Sequence, residues 1–538
     1  MPKPATQNIF TCLTQFSIAL PSTINLSGWC GDLHNDSRAI VEGDIFCAII
    51  GHDQDGRQYI EQAIKQGAKL VLAECENSSE HGDVVIASSG NNVAMVKFYQ
   101  LNQHLFTLTK NYYQAPQDNM TLVGITGTNG KTTTSQLLAQ MLSISDKPCA
   151  VIGTNGAGSI DKLHPLENTT PSACELHQLF YRFNDEHSVH GKFSYVAMEV
   201  SSHALSQNRV QADLFDIALF TNLSRDHLDY HGSMASYGET KKQIFTADSK
   251  QVAVVNFDDK QAKQWLKNWP EQQVIWLYGR ESNINTYKHF VTANAIKHHS
   301  HGVSFTLASH LGNVDITSPL LGDFNIDNLL AAISVLLIQG IPLSELPHLV
   351  AQVSAIAGRM EATSAKNLAT AVVDYAHTPD ALEKALQACR QHCAGELYVV
   401  FGCGGDRDKG KRPLMAQAAE KYADYLVVTN DNPRSEDAQL IANDIVAGFS
   451  NPDAEQITII LEREQAVLKT LNKAQAGDIV LLAGKGHEDY VIVAKHDEHG
   501  AIIGTQKLAY NERLVVTNFY QQHAGLASIA PLPDEANL

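Results

Sequence analysis

Residues 121–134 read Thr-Leu-Val-Gly-Ile-Thr-Gly-Thr-Asn-Gly-Lys-Thr-Thr-Thr. The apolar run Thr121 to Thr126, the glycine-rich turn and the helical stretch Thr132 to Leu142 predict a strand, a phosphate loop and a helix in that order. In that arrangement backbone N–H groups and the helix dipole wrap a triphosphate, Lys131 reaches the β and γ oxygens, and the Thr132 hydroxyl holds Mg²⁺. Five residues separate Gly124 from Gly130, one more than the standard motif allows. The competing reading is a glycine-rich turn that binds nothing, and the strand and helix on either side argue against it.

Working outward, further strands are expected at Tyr195 to Val200, Ile217 to Thr221 and Val252 to Asn256. Upstream, a strand at Asp44 to Ile50, a helix at Tyr59 to Gln66 and a strand at Ala68 to Ala73 suggest a small α/β unit. Downstream, strands at Ala371 to Tyr375, Leu397 to Phe401, Tyr425 to Thr429, Ile457 to Leu461 and Ile479 to Ala483 alternate with helices such as Pro379 to Cys393. That alternation implies a parallel, doubly wound sheet, with ligands outside the carboxyl ends of its strands. The expected fold is α/β in three domains: 1–117, a phosphate-loop domain over 118–356, and a Rossmann-like domain over 357–538.

A chain of 538 residues exceeds what one core organises, in keeping with several domains. The formal charge of −18 argues against non-specific binding to DNA or anionic membranes, both of which need a basic surface. Nine cysteines show no zinc-ligand spacing and are expected to be reduced thiols. No signal-peptide pattern or long apolar run is present, so the expectation is a cytoplasmic protein with no membrane insertion.

A phosphate loop serves kinases, motors, switches and ligases alike, so other segments must choose among them. Met198-Glu-Val-Ser-Ser-His-Ala-Leu205, followed by Gln207 and Arg209, places a carboxylate, hydroxyls and a guanidinium at one strand end. Thr221-Asn-Leu-Ser-Arg-Asp-His-Leu-Asp-Tyr-His231 ends the next strand, and Lys241 follows His227 by 241 − 227 = 14 residues. Singly, such a His or Lys is usually structural or solvated. Together the segments resemble the Mur ligase family. The resemblance implies that Gly127, Thr128, Asn129, Gly130, Lys131, Thr132 and Thr133 bind ATP. It gives Thr132 one Mg²⁺, assigns a second to Glu199, His227 and Lys241, and makes Lys241 a carbamate. Lys131, Glu199, His227 and Lys241 would be the catalytic set. A carbamate turns a cation into an anion, which suits a place beside Mg²⁺.

By the same resemblance, Gly322-Asp-Phe-Asn-Ile-Asp-Asn328, Gly358-Arg-Met-Glu361 and Asp374-Tyr-Ala-His-Thr-Pro379 close over ATP through Asn325, Arg359, Asp374 and His377, although Asp and Asn before helices are commonly caps. The first block resembles a uridine-nucleotide domain, with Asn35, Ser37, His52, Asp53 and Gln54 at substrate positions; ordinary turn chemistry is the alternative. Asn168, Thr169, Thr170, Ser201, Gln207 and Arg209 match the part that grips the muramoyl dipeptide.

The activity implied is ATP-dependent addition of meso-diaminopimelate to UDP-N-acetylmuramoyl-L-alanyl-D-glutamate through an acyl phosphate, a step of peptidoglycan precursor synthesis. Asp431-Asn-Pro-Arg434 is the discriminating segment: in the family it marks diaminopimelate-adding members. Arg434 forms a bidentate pair with a distal carboxylate that lysine lacks. Asp431, Asn432, Pro433 and Arg434 are thus acceptor-binding candidates. Arg407, Gly484 and Glu488, in Gly402-Cys-Gly-Gly-Asp-Arg-Asp-Lys-Gly-Lys-Arg412 and Gly484-Lys-Gly-His-Glu488, complete that set. Tyr510-Asn-Glu-Arg513 departs from the family's usual aromatic-Asp-Asp-Arg-Glu pattern, which puts the C-terminal contacts in question. The alternatives are the same chemistry with lysine as acceptor, a phosphate-loop switch or motor, and a nucleotide-binding module without catalysis. The expected partners are small molecules and no nucleic acid, with domain closure over them; the expected oligomeric state is a monomer.

Overall fold

The computed structural model describes residues 9–21, 24, 31–52, 54–86, 93–185, 192–247, 250–299, 302–497 and 500–523. The chain forms two compact units: Met1–Thr292 with Asn328–Pro342, and Ala293–Asp327 with Leu343–Leu538.

The first unit holds two sheets. In the smaller one, Leu33–His34, Ile45–Ala48, Leu70–Cys75 and Ala94–Tyr99 run parallel in that order, and Val84–Ile86 closes the edge antiparallel. Ile45–Ala48 and Leu70–Cys75 are buried at every position, as expected of parallel strands covered on both faces. The helix Ile60–Gln66 before the second of these strands ends on Gly67, whose φ of 111° is the left-handed conformation that glycine accepts without strain.

The larger sheet places Thr121–Thr126 at its centre. Tyr195–Glu199 and Cys149–Gly153 follow on one side; Ile217–Phe220, Val252–Asn256 and Ile275–Gly279 follow on the other, all parallel. The register pairs Glu199 with Ile125 and Phe220 with Thr126, so three strands end level. The loops after them therefore emerge side by side. The helix Lys131–Ile144 follows the central strand and buries Leu137, Leu138, Met141 and Leu142.

The second unit carries a six-stranded sheet in the order Glu361–Thr363, Thr370–Asp374, Ile479–Ala483, Leu397–Phe401, Tyr425–Val428 and Ile457–Ile459, parallel except for the first strand. Alternate residues face two different cores. Leu397, Val399 and Phe401 pack with the helices Pro379–His392, Lys411–Tyr422 and Ala438–Val446. Tyr398 and Val400 pack with Arg463–Lys473 and Glu512–His523. The sheet is doubly wound. A hairpin of Tyr490–His496 and Ile502–Ala509 is exposed along the whole of its second strand.

The described cysteines are free thiols. Among the described residues no helix is long and apolar enough to cross a membrane.

Candidate active site

In the first unit the phosphate loop is shaped by two glycines. A Cβ at Gly127, where φ is 151°, would lie 1.8 Å from Thr221 Oγ1, and one at Gly130, where φ is 85°, would lie 2.5 Å from Asn328 Oδ1. Thr128 N donates to Asn222 O at 2.8 Å, Asn129 N to Asn222 Oδ1 at 3.0 Å, and Thr221 Oγ1 to Asn129 O at 2.6 Å. Gly130 precedes the helix Lys131–Ile144 and supplies no side-chain cap, so the positive end of the helix dipole is left for an anion. Thr132 and Thr133 lie in its first turn.

Two lysine side chains converge on one oxygen. Lys131 Nζ donates to Gly127 O at 2.9 Å and Thr128 O at 2.9 Å, and Lys241 Nζ donates to the same Gly127 O at 2.8 Å. Lys241 is buried over the Tyr237 ring. Burial first, and the nearby Lys131 second, push its amine well below the ordinary lysine range. Glu199 is fully buried. Its Oε2 accepts from Thr132 Oγ1 at 2.9 Å and Thr154 Oγ1 at 3.2 Å, and its Oε1 accepts from Thr154 N at 2.9 Å. A Cβ at Gly153 would lie 2.1 Å from Oε1.

Of the expected grouping of Glu199, His227 and Lys241, Lys241 is bonded to Gly127 O. Glu199 sits on Thr132, because Tyr195–Glu199 runs in register beside the strand that feeds the loop. His227 is exposed in a left-handed conformation, 3.5 Å from Asp226 Oδ2, with its ring 5.0 Å from that of His203. Among the described residues no three His, Cys, Asp or Glu side chains form a metal-holding group.

Thr170 Oγ1 donates to Glu199 O at 2.9 Å and accepts from Ser201 N at 2.9 Å, while Thr169 Oγ1 lies 3.1 Å from Thr154 Oγ1. Arg209 reaches Thr170 O at 3.2 Å and Gln207 Oε1 at 2.5 Å. These substrate candidates therefore share a hydrogen-bonded network with Glu199; Asn168 is exposed beside them. In the loops and turns beside the smaller sheet Ser37 is buried, 3.4 Å from Gln62 Oε1, Asn35 is half-buried near it, and His52 and Gln54 are exposed. The His52 ring lies 5.0 Å from that of Tyr230. Asp53 lies outside the described residues.

In the second unit the Asp374 carboxylate accepts from Met360 N and Ala376 N, each at 2.8 Å, so it organises two turns. The Arg359 guanidinium lies 4.5 Å over the Tyr375 ring, His377 is exposed, and Asn325 Nδ2 donates to Leu321 O at 2.8 Å. A Cβ at Gly358 would lie 2.1 Å from the backbone of Gly486 and His487, so this turn and the Gly484–Glu488 turn touch backbone to backbone. Burial, reinforced by Arg359, holds His487 near a pKa of about 4.

Arg434 has a φ of 53°, an uncommon conformation for a long side chain. Arg434 N donates to Ile492 O at 3.0 Å and its Nη1 to Gly405 O at 2.9 Å. A Cβ at Gly404 would lie 2.8 Å from that Nη1. Asn432 Nδ2 donates to Glu488 Oε2 at 3.0 Å. The Asp431 Oδ2 atom is buried without a hydrogen-bond partner, and a Cβ at Gly484 would lie 2.6 Å from it. Arg407 is exposed. The loops thus gather two carboxylates and a guanidinium, the complement of an amino acid with an ammonium and a carboxylate.

The models of the Mur ligase family cover this chain in three stretches: its catalytic domain over residues 33–113, its middle domain over 125–336 and its glutamate ligase domain over 358–486. The UDP-N-acetylmuramoyl-L-alanyl-D-glutamate--2,6-diaminopimelate ligase of Haemophilus influenzae strain Rd is 46% identical over 471 residues, 87% of this chain and 94% of that protein. This chain belongs to the Mur ligase family. A solved structure of a 2,6-diaminopimelate ligase of the same description superimposes with a TM-score of 0.62 at 33% identity, covering 91% of this chain and 95% of that one. The MurF ligase of Thermotoga maritima in complex with ADP shares the fold with a TM-score of 0.59 at 17% identity, covering 87% of this chain and 96% of that one.

The residues of this Mur ligase fit a nucleotide with Mg²⁺. The helix end without a side-chain cap and the two lysines suit phosphates, and the adjoining Thr132 hydroxyl and Glu199 carboxylate are the oxygen donors Mg²⁺ prefers. Several structural partners went unread in the sequence. Thr154 shares Glu199 with Thr132. Lys485, fully buried, donates to Asn432 Oδ1 at 2.7 Å and to Tyr490 O at 3.0 Å, lies 3.4 Å from Glu488 Oε2, and so fixes which way the Asn432 amide faces. Arg412, also buried, bonds Glu436 and Asp444 behind Gly404. Lys485 and Arg412 lie inside the Gly484–Glu488 and Gly402–Arg412 segments, but only burial singles them out.

Proposed function

We infer that this Mur ligase is an ATP-dependent, ADP-forming ligase that adds meso-2,6-diaminopimelate to UDP-N-acetylmuramoyl-L-alanyl-D-glutamate in peptidoglycan precursor synthesis. The D-glutamate γ-carboxylate attacks the γ-phosphate in line; ADP leaves and an acyl phosphate forms. The acceptor amine then attacks the acyl carbon, the amide forms and phosphate departs with the bonding pair. The observation that carries this reading is the convergence of Lys131 and Lys241 on Gly127 O at the mouth of an uncapped helix.

Lys131 offsets charge on the transferred phosphoryl group. Mg²⁺, when bound, would spread that charge further; Thr132 would hold one ion together with phosphate oxygens, and Glu199, His227 and Lys241 as its carbamate would hold a second. Burial keeps Lys241 toward its neutral amine, the form that adds CO₂ to give a carbamate with loss of a proton. Arg359, Asp374, His377 and Asn325 serve the nucleotide. Arg434 and Arg407 hold acceptor carboxylates, with Glu488 and Asp431 facing its ammonium groups. Boundaries near residues 117 and 357 divide the nucleotide-sugar, ATP and acceptor domains. We place its action in the cytoplasm, as a monomer with small-molecule substrates only.

The test is ADP release by the purified chain with ATP, the nucleotide-sugar dipeptide and either diaminopimelate or lysine. The expected result is release and peptide extension only with the complete set, with diaminopimelate strongly preferred. Equal or better turnover with lysine would overturn the role of Arg434, and turnover without the dipeptide would indicate a switch or motor.

A further inference from the structure

Behind the acceptor loops lies a buried ion pair that no substrate role accounts for. Arg463, at the first position of the helix Arg463–Lys473, and Glu512, at the first position of Glu512–His523, are both buried. Arg463 Nε donates to Glu512 Oε2 at 2.5 Å and Nη2 to Oε1 at 2.9 Å, a bidentate pair; Tyr510 OH adds a bond to Oε2 at 3.1 Å. The guanidinium keeps two more contacts. Its Nη2 donates to Ala483 O at 2.9 Å and its Nη1 to Asn430 O at 3.1 Å. Ala483 directly precedes Gly484, and Asn430 directly precedes Asp431. The same Nη1 lies 4.0 Å from Asp431 Oδ2, the buried carboxylate oxygen without a hydrogen-bond partner.

We propose that Arg463 and Glu512 are positioning residues for acceptor recognition: the planar guanidinium, oriented by Glu512, sets the spacing between the Asp431–Arg434 and Gly484–Glu488 turns. A buried ion pair is weak support for a purely stabilising role, because apolar residues of similar volume often replace such pairs without loss. What an apolar pair cannot do is hold two carbonyls from different strands at a fixed separation, and the rigid fork of Arg suits that task as Lys does not. Glu512 lies within Tyr510-Asn-Glu-Arg513, the segment that departs from the family pattern. Its neighbour Arg513 makes a bidentate pair with Glu361, which accepts from Gly358 N at 2.8 Å, so the segment anchors the Gly358 turn as well.

The proposal rests on the acceptor role of these turns, and the experiment separates the two. Steady-state ADP release is measured for the full-length chain, for Arg463→Lys and for the double variant Arg463→Met/Glu512→Leu, varying diaminopimelate, lysine, ATP and the dipeptide in turn, alongside thermal midpoints. Arg463→Lys keeps the charge pair and loses the fork. The expected result is a rise in KM for diaminopimelate of about 10-fold or more and a smaller preference over lysine, with KM for ATP within about twofold and the midpoint of Arg463→Lys near that of the parent. Folded variants with unchanged acceptor KM and preference would overturn the proposal, and Arg463→Lys alone decides it if the double variant does not fold. A parent chain that does not discriminate between the two acceptors would instead sink the acceptor reading itself.

Discussion

Gly153 has no room for a side chain, because a methyl group there would meet Glu199 Oε1. Glu199 cannot yield cheaply, since both its oxygens are engaged by Thr132 and Thr154 in a buried setting. Gly153→Ala is therefore expected to lower kcat about 10²-fold while leaving the fold intact, checked by ADP release and circular dichroism. Arg434→Lys should raise KM for diaminopimelate about 10- to 100-fold and leave KM for ATP unchanged; an unaltered KM for the acceptor would count against its role. At this scale the sequence was readable where chemistry is local. The loop from Gly127 to Thr133 is marked by its glycines and by the strand and helix on either side of it. Lys485 and Arg463 carry no such mark: Lys485 meets Asn432 across 53 positions and Arg463 meets Glu512 across 49, and neither has a neighbour that signals burial. Asp374, a nucleotide-site candidate from the sequence, also organises two turns through the Met360 and Ala376 amides, which no local pattern announces.

Among elements, the helix Lys411–Tyr422 is tied to the loop before Ala438–Val446 by the bidentate Arg412–Glu436 pair. Arg412 draws the Glu436 carboxyl from an ordinary 4.5 to about 2. A depressed carboxyl stabilises the fold above its unfolded pKa and loses that contribution as pH falls through the folded value. Glu436→Gln should therefore lower the thermal midpoint at neutral pH, with the gap closing between pH 4.5 and about 2; a pH-independent gap would contradict the pairing. Elements buried on both faces were legible as apolar runs: Leu397–Phe401, Val252–Asn256 and Ile479–Ala483 fall where the sequence places them. Strand ends were overextended by a residue or two, as at Tyr195–Glu199, Ile217–Phe220 and Ile457–Ile459. The strands Phe290–His299, Gly302–Ser309 and Gly312–Ser318 and the hairpin Tyr490–Ala509 went unread. Most positions of Phe290–His299, Gly312–Ser318 and the hairpin strands meet solvent at least in part, so hydrophobicity carries little signal there; Gly302–Ser309 instead alternates buried and half-buried residues, a period-two pattern that was missed.

For the molecule as a whole, α/β class and doubly wound topology followed from the alternation of strands and helices, whereas the exchange of Asn328–Pro342 into the first unit followed from no local feature. Each unit depends on its own core. Leu481→Ala, at the centre of the second sheet, should cost about 2–5 kcal/mol, measured by denaturant unfolding.

The two lysines that share the Gly127 carbonyl have a calorimetric consequence. Burial first and the neighbouring Lys131 second bias Lys241 toward proton loss, and an anion offsets that bias, so a triphosphate arriving at an unmodified Lys241 is expected to draw a proton from the medium. The heat of ATP-analogue binding should then vary with the ionisation enthalpy of the buffer. After carbamylation that titrating amine is gone, its share of the buffer dependence vanishes, and isothermal titration in two buffers, with and without bicarbonate, reads out the chemical state of one side chain.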